Sequence, residues 1–384
     1  MHTANKYTAA DYINWRGDIS FEISPFNEVD LFLCSQLVTP DFSGIIPLHE
    51  PGITLEEAAS KYFECHNLDV KNLGVLQSDS VLPALLDMSK SVRYKNIILC
   101  GFSNYVDHTN DEQFCGLVIG IPGGLKIVTF RGTDDTLTGW KEDCNIAALD
   151  VVPAQEDALN YLTYVAEHSS VNISGRDIIV TGHSKGGNLA VYAACMAPED
   201  VRNRIRFVVN WDGPGFRKPF FEGKGFIELN ARNAIYNILS QNSLVGTLLE
   251  SAGPRVFVNS YIQGPLAHDG FKWQTGTDCF VKVNELSKFS TFMEGVVKDT
   301  LKDMDSSERL EFINQLFEAL SSTGAVTVSD FNELGIKSIH GVMKNVRTSP
   351  KVKEFLSKFV ESMIKELKAE APVPVLTERG IKFL

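Results

Sequence analysis

From Leu125 to Asn259 the chain alternates short apolar runs, rich in β-branched residues, with segments of helical length, and this alternation constrains its fold most. Leu125–Phe130, Asp177–Thr181, Arg206–Asn210, Ala234–Leu239 and Arg255–Asn259 read as strands, while Ala154–His168 and Ser184–Met196 read as helices. A helical crossover returns the chain to the same end of a sheet, so such strands pair in parallel with helices on the faces. Two earlier runs, Asn96–Val106 and Gln113–Ile121, precede the turn Pro122-Gly123-Gly124, which predicts a tight hairpin and antiparallel strands at one edge. The expected fold class is α/β, a mainly parallel sheet with antiparallel edge strands.

Both flanks read as helical. Residues 1–90 contain Phe26–Leu33 and Leu55–Phe63 at helical spacing and predict a helical N-terminal extension packed on a core at 91–283. Residues 284–384 form a helical C-terminal region. Phe289, Phe292 and Val296, then Leu310, Phe312, Ile313, Leu316, Phe317 and Leu320, recur at spacings near three and four, and residues 352–369 form a further amphipathic stretch with interspersed Lys and Glu. Such stripes pack on a core or a neighbouring helix, and a lid over a site is a second use for them.

Composition removes several functional classes. The 384 residues are 44% hydrophobic, enough for a core without disulfides or metals, and 48 acidic against 36 basic residues give a formal charge of −12. An acidic chain without a basic patch suits neither nucleic acid nor an anionic lipid surface. No apolar run reaches the roughly 18 residues of a membrane span. The seven cysteines are spread along the chain without a Cys-x-x-Cys pair, so neither a disulfide framework nor a metal site is expected. The first twenty residues lack a basic stretch followed by an apolar one, which predicts a cytoplasmic protein, with export by a route other than Sec left open. Nothing in the sequence sets an oligomeric state.

The chemistry gathers at Ile178–Ala190, where Gly182-His183-Ser184-Lys185-Gly186 lies between an apolar β-type run and an Ala-rich helix. Strand, sharp turn and helix are the context in which Gly-x-Ser-x-Gly presents a nucleophile. The glycines let strand and helix approach closely, so that Ser184 Oγ projects above the sheet at the positive end of the helix dipole. Lys185 stands where related elbows carry an apolar residue, and its backbone N–H remains available for an oxyanion.

A second segment, Phe130-Arg131-Gly132-Thr133-Asp134-Asp135 followed by Gly139-Trp140 and Asp143, fits the loop that supplies the other oxyanion donor. Thr133 is the candidate, through its N–H. Arg131 and Asp143 are expected to brace the loop as an ion pair.

Together these segments give the chain its resemblance. Phe-Arg-Gly-Thr with a following Trp and Asp, and later Val-Thr-Gly-His-Ser-x-Gly-Gly-Asn-Leu-Ala, resemble the class 3, fungal-type lipases over residues 95–275. A bacterial family of lipase-like α/β hydrolases of unknown function is similar over most of the chain, sharing Asn14-Trp15-Arg16-Gly17-Asp18, Phe26-Asn27-Glu28-Val29-Asp30 and Asp212-Gly213-Pro214-Gly215-Phe216. The resemblance implies an α/β-hydrolase fold, a serine nucleophile and no cofactor.

In that fold the nucleophile, acid and histidine follow one another along the chain. Of eight histidines only His268 and His340 follow Ser184, and His340 lies in the helical tail, which leaves His268 as the candidate base. Among Glu199, Asp200, Asp212, Glu222, Glu228 and Glu250, only Asp212 ends a strand-like run, Phe207–Trp211. Pancreatic-type lipases carry their acid at a similar place. Class 3 lipases carry it one strand later, in the segment matched by Ile238–Gly246, where Ser243 or Asn242 takes the position of their Asp.

Three outcomes stay open: Asp212 orients His268, Ser243 leaves a weakened dyad, or the site is degenerate. A capping role for Asp212 before Gly213-Pro214-Gly215 is the plain alternative. The expected function is hydrolysis of carboxylic esters, lipid or other acyl esters, by Ser184, His268 and Asp212 with the Lys185 and Thr133 amides as oxyanion donors. The competing expectations are a catalytically silent lipase-like module that holds a ligand, and a structural protein that assembles through its helical tail.

Overall fold

The computed structural model describes residues 7–66, 78–107, 112–133, 145–146, 148–168, 177–262, 265–301 and 304–311, with isolated positions at 315, 350 and 354. A nine-stranded sheet runs through it in sequence order: β1 (Ile53–Thr54), β2 (Ile98–Asp107), β3 (Glu112–Ile121), β4 (Leu125–Phe130), β5 (Ile178–His183), β6 (Ile205–Trp211), β7 (Ile235–Ser240), β8 (Arg255–Val258) and β9 (Lys282–Val283). The five strands β4 to β8 are parallel. Antiparallel pairs flank them on both sides, β1 to β4 at one edge and β8 with β9 at the other. The sequence predicts antiparallel strands at one edge only, because the two-residue β1 and β9 are too short to show an alternation.

Parallel strands taken in strict order have a consequence for the helices. Right-handed crossovers between successive neighbours all return over the same face of the sheet. Accordingly α5 (Pro153–Glu167), α6 (Lys185–Met196), α7 (Glu199–Arg204) and α8 (Lys224–Ala231) share one apolar cluster with Val128, Val180 and Val208. The strand neighbours Ile127, Ile179 and Val209 point the other way, into a second cluster.

That second face is covered by the N-terminal helices α1 (Ala9–Arg16), α2 (Glu28–Gln36), α3 (Leu55–Cys65) and α4 (Val81–Lys90). Every residue of α2 is buried. Its start is fixed by a capping box, in which the Asn27 side chain accepts from the Val29 and Asp30 amides and Asp30 accepts from the Asn27 amide. On the site side Phe32 of this helix meets Trp211, Phe271, Trp273 and Phe280 at ring separations of 5.4 to 5.8 Å.

The C-terminal helix α9 (Lys288–Leu301) buries Phe289, Met293 and Val296. Among the described residues no helix is long and apolar enough to cross a membrane. The stripe from Phe312 to Leu320, apart from an isolated position, and nearly all of residues 352–369 lie outside the described residues, as do Asp134, Asp135, Gly139, Trp140, Asp143 and His340.

Candidate active site

β5 ends at His183, α6 begins at Lys185, and Ser184 between them has φ 58° and ψ −132°. A serine with positive φ costs on the order of 1 to 3 kcal/mol and persists only where its surroundings hold it. The hold is backbone. The Ser184 N–H donates to the Trp211 carbonyl at 2.9 Å, and the Ser184 carbonyl accepts from the Gly187 N–H at 2.9 Å. Gly186 is required by close approach, since a Cβ there would lie 2.1 Å from the Phe130 carbonyl oxygen at the end of β4. The turn is thereby pressed against Arg131-Gly132, and the following residue, Thr133, is buried.

Asp212 follows the last residue of β6 with φ 54°, and its N–H donates to the Ile238 carbonyl of β7 at 2.9 Å. Its carboxylate is fully buried, and Oδ2 accepts a hydrogen bond of 2.8 Å from His268 Nδ1. Oδ1 has no hydrogen-bond partner, and neither has His268 Nε2, which is also buried. His268 is placed by a helical turn, Pro265–His268, whose Ala267 carbonyl accepts from Trp273 Nε1 at 2.9 Å. Trp273 belongs to the aromatic cluster around Phe32, so α2 supports the histidine from below.

Burial governs the titration of this pair. It pushes the Asp212 carboxyl up and the His268 imidazole down, while the neighbouring Ser243 side chain and Ser240 backbone act in the opposite sense on Asp212. Ser243 lies beside the carboxylate, although its Oγ is engaged at 2.9 Å as acceptor for the Gly246 N–H and makes no well-formed bond to Oδ1. Asn242 is turned away, its amide donating to the Ile262 carbonyl at 3.0 Å. Of the three candidate orienting residues, Asp212 is the one in contact with His268.

A residue passed over in the sequence stands next to them. His183 packs on His268 with ring centroids 4.5 Å apart and donates from Nε2 to the His268 carbonyl at 2.9 Å. Burial first, and the adjacent His268 second, lower its pKa to about 3, so it stays neutral with a single N–H to give. Its place inside the Gly-x-Ser-x-Gly motif was the available signal, but its partner lies 85 residues downstream.

Residues 88–318, more than half of the chain, match the Mbeg1-like family. The chain belongs to that family. Solved structures similar to this Mbeg1-like protein include the crystal structure of M37 lipase, at 17% identity and TM-score 0.32 over 50% of this chain and 68% of that one. Another is Rhizomucor miehei lipase in its native propeptide complex, at 15% identity and TM-score 0.29 over 48% of this chain and 63% of that one. No curated protein matches the sequence. The Mbeg1-like chain is built on a nine-stranded mixed sheet, parallel from β4 to β8, with helices packed on both faces.

Two expectations about the loop residues resolve differently. The Lys185 side chain leaves the site altogether, donating from Nζ to the Gln113 carbonyl of β3 at 2.9 Å, so at this position only its backbone faces the turn. Arg131 donates to Asn104 Oδ1 at 2.8 Å, a partner on β2 that sequence separation hides, while Asp143 lies outside the described residues. Among the described residues no group of His, Cys, Asp and Glu is arranged to hold a metal ion.

Proposed function

We propose that this protein is a serine hydrolase that cleaves carboxylic esters, lipid or other small acyl esters, through a covalent acyl-enzyme. Ser184 Oγ attacks the acyl carbonyl and its proton passes to His268 Nε2. The tetrahedral oxyanion is received by the backbone N–H groups of Lys185 and Thr133, and collapse expels the alcohol, which takes the proton from His268. Water then repeats the sequence to release the acid. Asp212 holds His268 by Nδ1, so that the nitrogen facing the nucleophile is the unprotonated one, and stabilises the imidazolium that forms.

The observation that carries the proposal is the 2.8 Å contact between Asp212 Oδ2 and His268 Nδ1, with His268 Nε2 left buried and unpartnered and His268 packed on His183, the residue before the strained Ser184. An unsatisfied buried nitrogen is costly in a merely structural histidine and useful in a general base. The ligand-holding alternative has one observation in its favour: Ser184 and His268 are only 7% and 6% exposed, and Ser184 Oγ does not occupy the free bond of Nε2.

Hydrolysis of p-nitrophenyl esters of increasing chain length separates the two. Turnover by the wild type that falls at least about a thousandfold in Ser184→Ala supports the hydrolase. A folded wild type without turnover on any chain length contradicts it and favours the ligand-holding module.

A further inference from the structure

On the crossover-helix side of the molecule a cleft of about 750 Å³ opens between the segment after β6, the loop leading into β8 and the C-terminal helix α9. A volume of that order accommodates a small organic ligand. Five cations line it, Arg217, Lys218, Arg255, Lys298 and Arg309, against two carboxylates, Glu250 and Glu294. In a chain with a formal charge of −12 this is a local inversion of sign.

The inversion is only partly relieved from within. Arg255 is paired with Glu294 at 2.9 Å, and Arg217 with the exposed Asp150 at 2.7 Å. Lys218 and Lys298 are exposed and make no hydrogen bond or ion pair among the described residues. Arg309 is fixed in place, donating to the Met304 carbonyl at 3.1 Å and the Leu301 carbonyl at 2.8 Å. Burial, and then the charge of Arg217, hold its guanidinium below the usual arginine range. Like charges kept together in this way favour an anion between them.

Beside these charges and the hydroxyls of Thr247 and Ser251 the cleft has an apolar part. Phe216, stacked on Phe220 at 3.8 Å, lines it together with Leu249, Val297 and Leu301. A bare inorganic anion would leave this surface wet, whereas a head group carrying an acyl tail would cover it. We propose that the cleft binds an anionic amphiphile, a phosphate or carboxylate head held by Lys218, Lys298 and the flanking arginines with its hydrocarbon tail over Phe216 and Leu301. This site involves none of the residues assigned to ester cleavage.

Calorimetric titration of the full chain with dodecyl phosphate, dodecanoate, inorganic phosphate and dodecyltrimethylammonium, each below its micellar concentration, tests the proposal. The expected result is saturable binding of one or both anionic amphiphiles, weakened at least tenfold in Lys218→Ala/Lys298→Ala. Circular dichroism of that double variant should be unchanged, because both side chains are exposed. Absence of saturable binding of either anionic amphiphile, unchanged affinity in the double variant, equal affinity for inorganic phosphate, or equal affinity for the cationic amphiphile would each overturn it.

Discussion

Asp30 and Asp212 are both fully buried carboxylates, and the chain treats them in opposite ways. Beneath the N-terminal helices Asp30 accepts from Arg93 Nε at 2.8 Å and Nη2 at 2.5 Å, from the Tyr94 hydroxyl at 2.6 Å and from the Asn27 amide at 2.9 Å. The remaining guanidinium donors of Arg93 go to the Ile19, Ser24 and Pro25 carbonyls. At the end of β6, Asp212 has one strong donor, His268, and around its other oxygen only the weaker support of Ser243 and Ser240, with no well-formed bond. A buried polar atom left unmade costs about 1 to 3 kcal/mol, so saturation is what stability alone would select. The carboxylate that anchors a helix is saturated. The one after β6 spends its strong bond on His268, as a residue that orients an imidazole must.

The contrast fixes what each substitution should do. The largest expected effect is that of Asp212→Asn, which keeps the shape but presents the wrong hydrogen-bonding group to His268 Nδ1: kcat on a p-nitrophenyl ester should fall about 10³- to 10⁴-fold, with urea stability unchanged or raised. Asp30→Asn should do the reverse, lowering stability by about 3 to 5 kcal/mol by stranding a buried guanidinium, while the fraction that remains folded keeps its turnover. Equal losses of activity and of stability in both variants would erase the distinction.

A smaller effect concerns pH. The folded pKa of His183 lies near 3, below the roughly 6.5 of an unfolded histidine, so the unfolded chain takes up this proton first as pH falls. Stability is therefore lost progressively below about pH 6.5 and down towards pH 3. Because part of the residue is exposed, His183→Gln should recover only on the order of 1 kcal/mol of the loss between pH 7 and pH 5, read by urea denaturation at the two values. The smallest effect is expected for Ser243→Ala, a change of no more than about tenfold in kcat, since its hydroxyl lies beside Asp212 without a well-formed bond to it. A loss as large as that of Asp212→Asn would return the orienting role to the segment after β7.

The parts of this molecule that were legible in the sequence are those decided by neighbours along the chain. The β-branched runs of β4 to β8, the Gly123-Gly124 turn with its positive φ angles, and the strand-to-helix elbow around Ser184 all declare themselves within about ten residues. Elimination by chain order led to His268 and Asp212, and the structure brings the two into contact. What could not be read depends on distant pairing. Asp30 meets Arg93 across 63 residues, and the Asn27-Glu28-Val29-Asp30 segment, noticed as a family resemblance, turns out to be a helix cap joined to that ion pair. Nor could the pattern of α2 show that Phe32 reaches under Trp273, since a helix buried all round has no polar face to orient it.

The central claim is that Ser184 is an activated nucleophile, and labelling with a fluorophosphonate probe tests it most directly. The full chain should be labelled at Ser184, with labelling abolished in Ser184→Ala and reduced at least about a hundredfold in rate in His268→Ala. A folded wild-type protein that takes up no probe, or one labelled equally well in Ser184→Ala, would contradict it.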